Sequence, residues 1–129
     1  MGFEVEVHAK WFAANAPDPE WLEDVGRRNW RAFTSDHELP SRHRNAIIAG
    51  NVGLFVVADL KQNEGYKKWV QMFTGCWPRV KHACACAERP YVAKISRNGK
   101  LYQIRHLTQH FDTDVTAEVE AQASGFGIT

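Results

Sequence analysis

The stretch "VGLFVVADL", residues 52–60, is an almost unbroken apolar run rich in valine. It does not alternate between apolar and polar positions. A strand of this kind is buried on both faces, as the strands of a parallel sheet are. Upstream, "SRHRNAIIAGN" reads as a short helix that Gly50 and Asn51 stop. Before it lies a strand, Arg31–Ser35, and before that a helix. Asp18-Pro19-Glu20 marks the helix start, with Asp18 as N-cap, Pro19 in the first turn and Glu20 near the positive helix end. "FEVEVH", residues 3–8, alternates strictly and reads as one more strand.

Downstream, residues 63–88 place Trp69, Met72, Phe73, Cys76, Trp77 and Val80 at helical spacing. Gly75 and Pro78 fall inside that stretch. A break or kink is expected there, because proline lacks a backbone donor. Tyr91–Ile95 and Leu101–Ile104 then alternate around Asn98-Gly99, the favoured tight turn of a hairpin. The order β-α-β-α-β-α-β-β predicts an α/β fold. Its sheet should be mostly parallel, covered by helices on both faces and joined by right-handed crossovers. Residues 1–110 form the expected domain, and the acidic residues 111–129 a loose tail with weak helical character.

A chain of 129 residues can bury a core without staples. Its 44% apolar and 24% charged residues are ordinary for a soluble protein. No apolar run is long enough to cross a membrane, and the N-terminus lacks a signal-peptide core. The expected location is therefore the cytoplasm. Cys76, Cys84 and Cys86 are odd in number and crowded, which argues against a disulfide framework. Net charge is +1, but it is segregated. Residues 1–38 hold eight acids and four basic residues, residues 39–110 hold three acids and twelve basic residues, and the last nineteen hold four acids and none. A basic middle beside acidic flanks suits a polyanion next to metal-holding carboxylates, or simply a salt-bridged surface.

The strand of residues 31–35 stops at "TSDHEL". Sites in open α/β sheets lie beyond the carboxyl ends of the strands. That rule brings Asp18, Glu20 and Asp36 to one rim. Clustered carboxylates repel each other unless they share a cation, and hard cations such as Mg²⁺ take oxygen ligands. A metal so held can activate water against a phosphodiester. Arg42, Arg44, Lys67 and Lys68, with Arg79 and Lys81, could hold a phosphate backbone. The plainer alternatives stay open: Asp18 as a helix cap and Asp36 as a strand-end Asx-turn residue.

The segment "APDPEWLEDVGRRNWRAFTSD" joins an acidic helix start to a strand ending in Thr-x-Asp. With "AGNVGLFVV" and "WPRVKHACACAERPYVAKISRNGKL", it resembles a PIN-like domain, of the kind related to toxin ribonucleases of bacterial toxin–antitoxin pairs. The resemblance runs from about Phe3 to Leu101. It implies an α/β/α sandwich with a C-terminal β-hairpin and Mg²⁺- or Mn²⁺-dependent RNA hydrolysis. RNA and a cognate antitoxin protein would be the partners. Asp18 or Glu20 would match the family's helix-start acid, and Asp36 its strand-end acid. The family opens with a further strand, carrying an Asp, and a helix, and "FEVEVH" corresponds to the strand after both. Loss of that strand would weaken metal binding and expose a sheet edge, which favours a homodimer. A catalytically inactive domain that binds protein or RNA is the alternative. His43, Arg44 and Asn45 stand where a further acid is expected, with Glu38 as substitute.

Other groupings are weaker. "KHACAC" offers His82, Cys84 and Cys86 as soft metal ligands, but without a C-x-x-C pair. On a helix Cys84 and Cys86 would point to different faces. No local signature supports a Cys–His nucleophile pair. His106 and His110 could share a helix face, and His8 could reach RNA. Trp21, Trp69 and Trp77 lie on apolar stripes and read as core, whereas Trp11 is the candidate for a partner contact.

Overall fold

The computed structural model describes residues 18–57, 66–96 and 99–125, with backbone alone for Asp18, residues 66–70 and residues 122–125. The expected strand at residues 3–8, His8, Trp11 and Asn98 lie outside the described residues. The elements run α1 (Asp18–Arg27), β1 (Arg31–Thr34), α2 (Leu39–Arg42), α3 (Arg44–Gly50), β2 (Gly53–Val57) and α4 (Tyr66–Cys86). Then follow β3 (Tyr91–Ile95), β4 (Leu101–Leu107), β5 (Asp112–Asp114) and α5 (Thr116–Gly125).

Among the described residues the protein is α/β with a five-stranded sheet in the order β1-β2-β3-β4-β5. β1, β2 and β3 are parallel, while β4 and β5 are antiparallel to their neighbours. The sheet is therefore mixed rather than mostly parallel. The links 96–100 and 108–111 are too short for a parallel crossover.

All five residues of β2 are buried, which explains the unbroken apolar run. Leu54 and Val56 pack with Leu22, Val25, Leu39 and Ile47 from α1–α3. Phe55 and Val57 pack on the other face with Met72, Cys76, Val80 and Ala83 of α4 and Val119 of α5. The β1-to-β2 and β2-to-β3 crossovers thus use opposite faces while both step the same way across the sheet. Their hands are opposite, so the expectation of right-handed crossovers holds for one of the two. Three helices already fill the first face, and the stripe of α4 can be buried only on the second.

α4 is one helix that runs through Pro78 without the expected break. Pro78 is exposed, so its missing donor lies on the solvent side. The buried stripe Met72–Cys76–Val80–Ala83 faces the sheet undisturbed. The turn after β3 lies tightly on this helix. A β-carbon on Gly99 would come within 2.9 Å of the Met72 carbonyl oxygen, and its φ of 85° also favours glycine.

α1 and α3 end alike. Asn29 (φ 60°) and Asn51 (φ 56°) take the left-handed conformation. The Trp30 amide returns to the Val25 carbonyl and the Val52 amide to the Ile47 carbonyl, both at 3.0 Å. Each is a Schellman-type cap, with asparagine where glycine is commonest. Just before these caps the two helices touch backbone to backbone. A β-carbon on Gly26 would run into the Gly50 carbonyl oxygen, and one on Gly50 would lie 3.0 Å from the Glu23 α-carbon.

The tail is not loose over residues 112–125. β5 pairs with β4, and Val119 is 5% exposed in the core. Asp114 starts α5 by accepting bonds from the Thr116 amide (2.9 Å) and hydroxyl (2.6 Å). The Thr116 hydroxyl oxygen in turn accepts the Ile104 amide at 2.8 Å. The pattern missed this helix because, among its described side chains, Val119 alone is in the core, with half-buried Val115 just before the helix.

Gly26→Ala is expected to destabilise the fold by about 2–3 kcal/mol in urea denaturation, because backbone rather than a yielding side chain blocks the new methyl. The bonds from Thr116 hold the Asp114 carboxyl below its ordinary pKa of 3.8. A depressed folded pKa adds stability above that value, and the contribution is lost as pH falls through the folded one. Acid titration followed by circular dichroism should show helix loss below about pH 4, and Asp114→Asn should remove this component.

Candidate functional site

Three residues, 28–30, join α1 to β1, and the two elements pack in one cluster. They must run antiparallel. The start of α1 and the carboxyl end of β1 therefore share one end of the sheet. Asp18 stands at the first position of α1, with its side chain outside the described residues, and Glu20 is exposed in the first turn. Asp36 follows β1 on the same rim. Among the described residues no three His, Cys, Asp or Glu side chains converge as a metal-holding group.

Asp36 is firmly built in. Its amide donates to the Thr34 hydroxyl at 3.1 Å, and its Oδ1 accepts the Glu38 amide at 3.0 Å. This is an Asx-turn, and it starts α2. Arg42 then reaches back, with Nη2 3.4 Å from Asp36 Oδ2 and 3.2 Å from Glu38 Oε2. "TSDHEL" ends the strand because two turn bonds and one guanidinium organise it. The two acids offer the oxygen donors that a hard cation takes. Arg42 now supplies their counter-charge, so a bound cation would compete with it. Asp36 and Arg42 side chains are 43% and 47% exposed, and such pairs contribute about 0–1 kcal/mol.

The basic residues divide into two groups. Arg44 is engaged by the Asp112 carboxylate at 2.6 Å and the Thr108 carbonyl, tying α3 to the β4–β5 connection. Arg27 and Arg28 pair with Asp24. Arg79, Lys81 and Lys100, by contrast, are exposed on or beside α4. Gly75, Arg79, Gly99 and Lys100 line an open cavity of about 270 Å³ there. Lys67 and Lys68 lie in the first turn of α4, with side chains outside the described residues.

Arg31, Gly53 and Tyr91 stand side by side at the opposite end of the parallel strands. Arg31 Nε donates to the Tyr91 hydroxyl at 3.2 Å and its Nη2 to the Cys84 carbonyl at 3.0 Å. Gly53 makes the contact possible, since a β-carbon there would lie 2.6 Å from Arg31 Cδ and 2.8 Å from the Tyr91 hydroxyl. Burial pushes the Tyr91 phenol and the Cys84 thiol up. The group is neutral apart from Arg31 and locks strand to helix.

His106 lies in β4, bonded to the Glu88 carbonyl, and His110 in the following loop, so the two share no helix. Trp21 and Trp77 are half-buried against the two cores. Cys84 and Cys86 do face different partners. Cys86 meets His82, a pairing that the spacing of four residues in one helix could have signalled.

Comparison with known families adds one match. Residues 1–59 match the family model of a PIN like domain. The matched segment takes in α1, β1, α2, α3 and β2, and with them Asp18, Glu20 and Asp36. It stops short of "WPRVKHACACAERPYVAKISRNGKL", on which the sequence resemblance also drew. No curated protein and no solved structure matches the chain significantly. No helix among the described residues is long and apolar enough to cross a membrane.

Tyr91→Phe should leave Arg31 Nε without its acceptor in a partly buried place. The expected cost is about 1–3 kcal/mol, read as a lower urea midpoint with an unchanged slope.

Proposed function

We propose that the chain is a PIN-like ribonuclease that hydrolyses RNA phosphodiester bonds with Mg²⁺ or Mn²⁺, as the toxin of a toxin–antitoxin pair. The observation that carries this reading is the PIN-like match over the segment whose fold puts the α1 start and the β1 end at one rim. Helices on both sheet faces suit the α/β/α sandwich of such a domain. Asp36, with Glu20 and Asp18, would hold the cation, and Glu38 stands beside Asp36. A bound divalent cation would supply a water of lowered pKa and offset charge on the phosphodiester. The Asx-turn fixes Asp36 before any ligand arrives, so little ordering is needed at that position. Lys67, Lys68, Arg79, Lys81 and Lys100 would hold the RNA backbone. Arg42 serves better as the resting counter-ion of the acids than as a phosphate contact, and Arg44 as a structural tie. The antitoxin and a homodimer stay part of this proposal.

The Arg42 pairing also favours a second reading, in which the rim is neutralised and the domain binds RNA or protein without turnover. One set of measurements separates the two. Under the first reading the chain cleaves RNA in Mn²⁺, and Asp36→Asn abolishes both cleavage and calorimetric Mn²⁺ binding. Arg42→Gln should then tighten Mn²⁺ binding by up to about fivefold, the equivalent of an exposed ion pair. RNA binding without metal-dependent turnover would select the second reading. Neither binding nor cleavage would exclude both RNA readings.

A further inference from the structure

We propose that Cys86 is a reactive thiol activated by His82, and that it is a site of oxidation by hydroperoxides. The inference is independent of the ribonuclease reading. It rests on a relay of three groups from two helices. His82 Nε2 lies 2.8 Å from the Val119 carbonyl oxygen of α5. A carbonyl only accepts, so Nε2 carries the proton, and Nδ1 is left with its lone pair free. That lone pair faces Cys86, whose Sγ lies 3.6 Å away. The thiol hydrogen therefore points at a base whose tautomer and orientation are fixed by a carbonyl. This is the arrangement of an activated nucleophile and an oriented general base.

The other two thiols lack it. Cys76 is fully buried, its sulfur near Met72 Sδ and the Phe73 carbonyl, and burial pushes its pKa up to about 11. Among the described residues no histidine is bonded to the Cys84 sulfur, and its thiol is also pushed up by burial. Cys86, at the last position of α4, is partly buried against the core but keeps some solvent exposure, through which a small oxidant can reach it, while His82 is only 8% exposed. The base is shielded more fully than the thiol.

The step balances as follows. His82 Nδ1 takes the thiol proton, and the sulfur attacks one oxygen of the hydroperoxide. An S–O bond forms and the O–O bond breaks. The sulfur loses two electrons, and the departing oxygen takes the proton from Nδ1 and leaves as water or an alcohol. Cys86 becomes a sulfenic acid.

The test treats the full chain with dilute hydrogen peroxide, traps sulfenic acid with dimedone and maps each cysteine by fragment-ion mass spectrometry. Cys86 should label about tenfold faster than Cys84 or Cys76. His82→Gln keeps an amide donor for the Val119 carbonyl but removes the base. It should slow Cys86 labelling about tenfold and leave Cys84 unchanged. Equal labelling of the three thiols in the unsubstituted protein would overturn the proposal. So would unchanged Cys86 labelling in His82→Gln with native circular dichroism. The ranking of the three thiols decides by itself if that variant does not fold.

Discussion

The backbone contact between Gly26 and Gly50 sets the geometry of the first half of the molecule. Two helices that meet without side chains between them have one close approach available. Each then ends on a left-handed asparagine and turns into a strand after one more residue. These matched exits deliver β1 and β2 in register, with Arg31 beside Gly53. That register opens the space in which the Arg31 guanidinium meets Tyr91. The same contact orients α1 against β1 and so decides which acids share the carboxyl rim. A methyl group at position 26 would disturb the sheet and the rim together.

The two ends of the parallel strands have different characters. At the amino end, Arg31, Tyr91 and Cys84 form a partly buried cluster that holds the sheet to α4. At the carboxyl end, Asp36, Glu38 and Arg42 form a wet, exposed one. Low dielectric strengthens the first, and solvent screens the second. Structural rigidity and exchangeable charge are thereby separated by the length of a strand. The PIN-like match covers the elements that build the exposed end.

Much of this was legible in the sequence because local chemistry and global fold agree. The unbroken run at residues 52–57 announced a strand buried on both sides, and Asp18-Pro19-Glu20 announced the start of α1. Asp36 was readable as an Asx-turn from its neighbours, although Arg42, six residues on, was not an evident partner. Pro78 misled because a proline reads the same on a solvent-facing side of a helix as on a buried one. Val119 was hidden for the opposite reason: one buried valine among acids makes no periodic signal. The link from Arg44 to Asp112 spans 68 residues and leaves no trace in any local pattern.

The strand order also bears on how the chain reaches its native state. Among the described residues every hydrogen-bonded strand pair joins consecutive strands, and none inserts between two that are already paired. Pairing can therefore advance along the chain in the order of its synthesis. The entropy of loop closure is paid in small steps, the largest being the link from β2 to β3 that contains α4. Such a topology keeps contact order low for a sheet protein and favours fast folding with few trapped intermediates. Arg44 would close last, joining the early helices to the final strands only after β5 has docked.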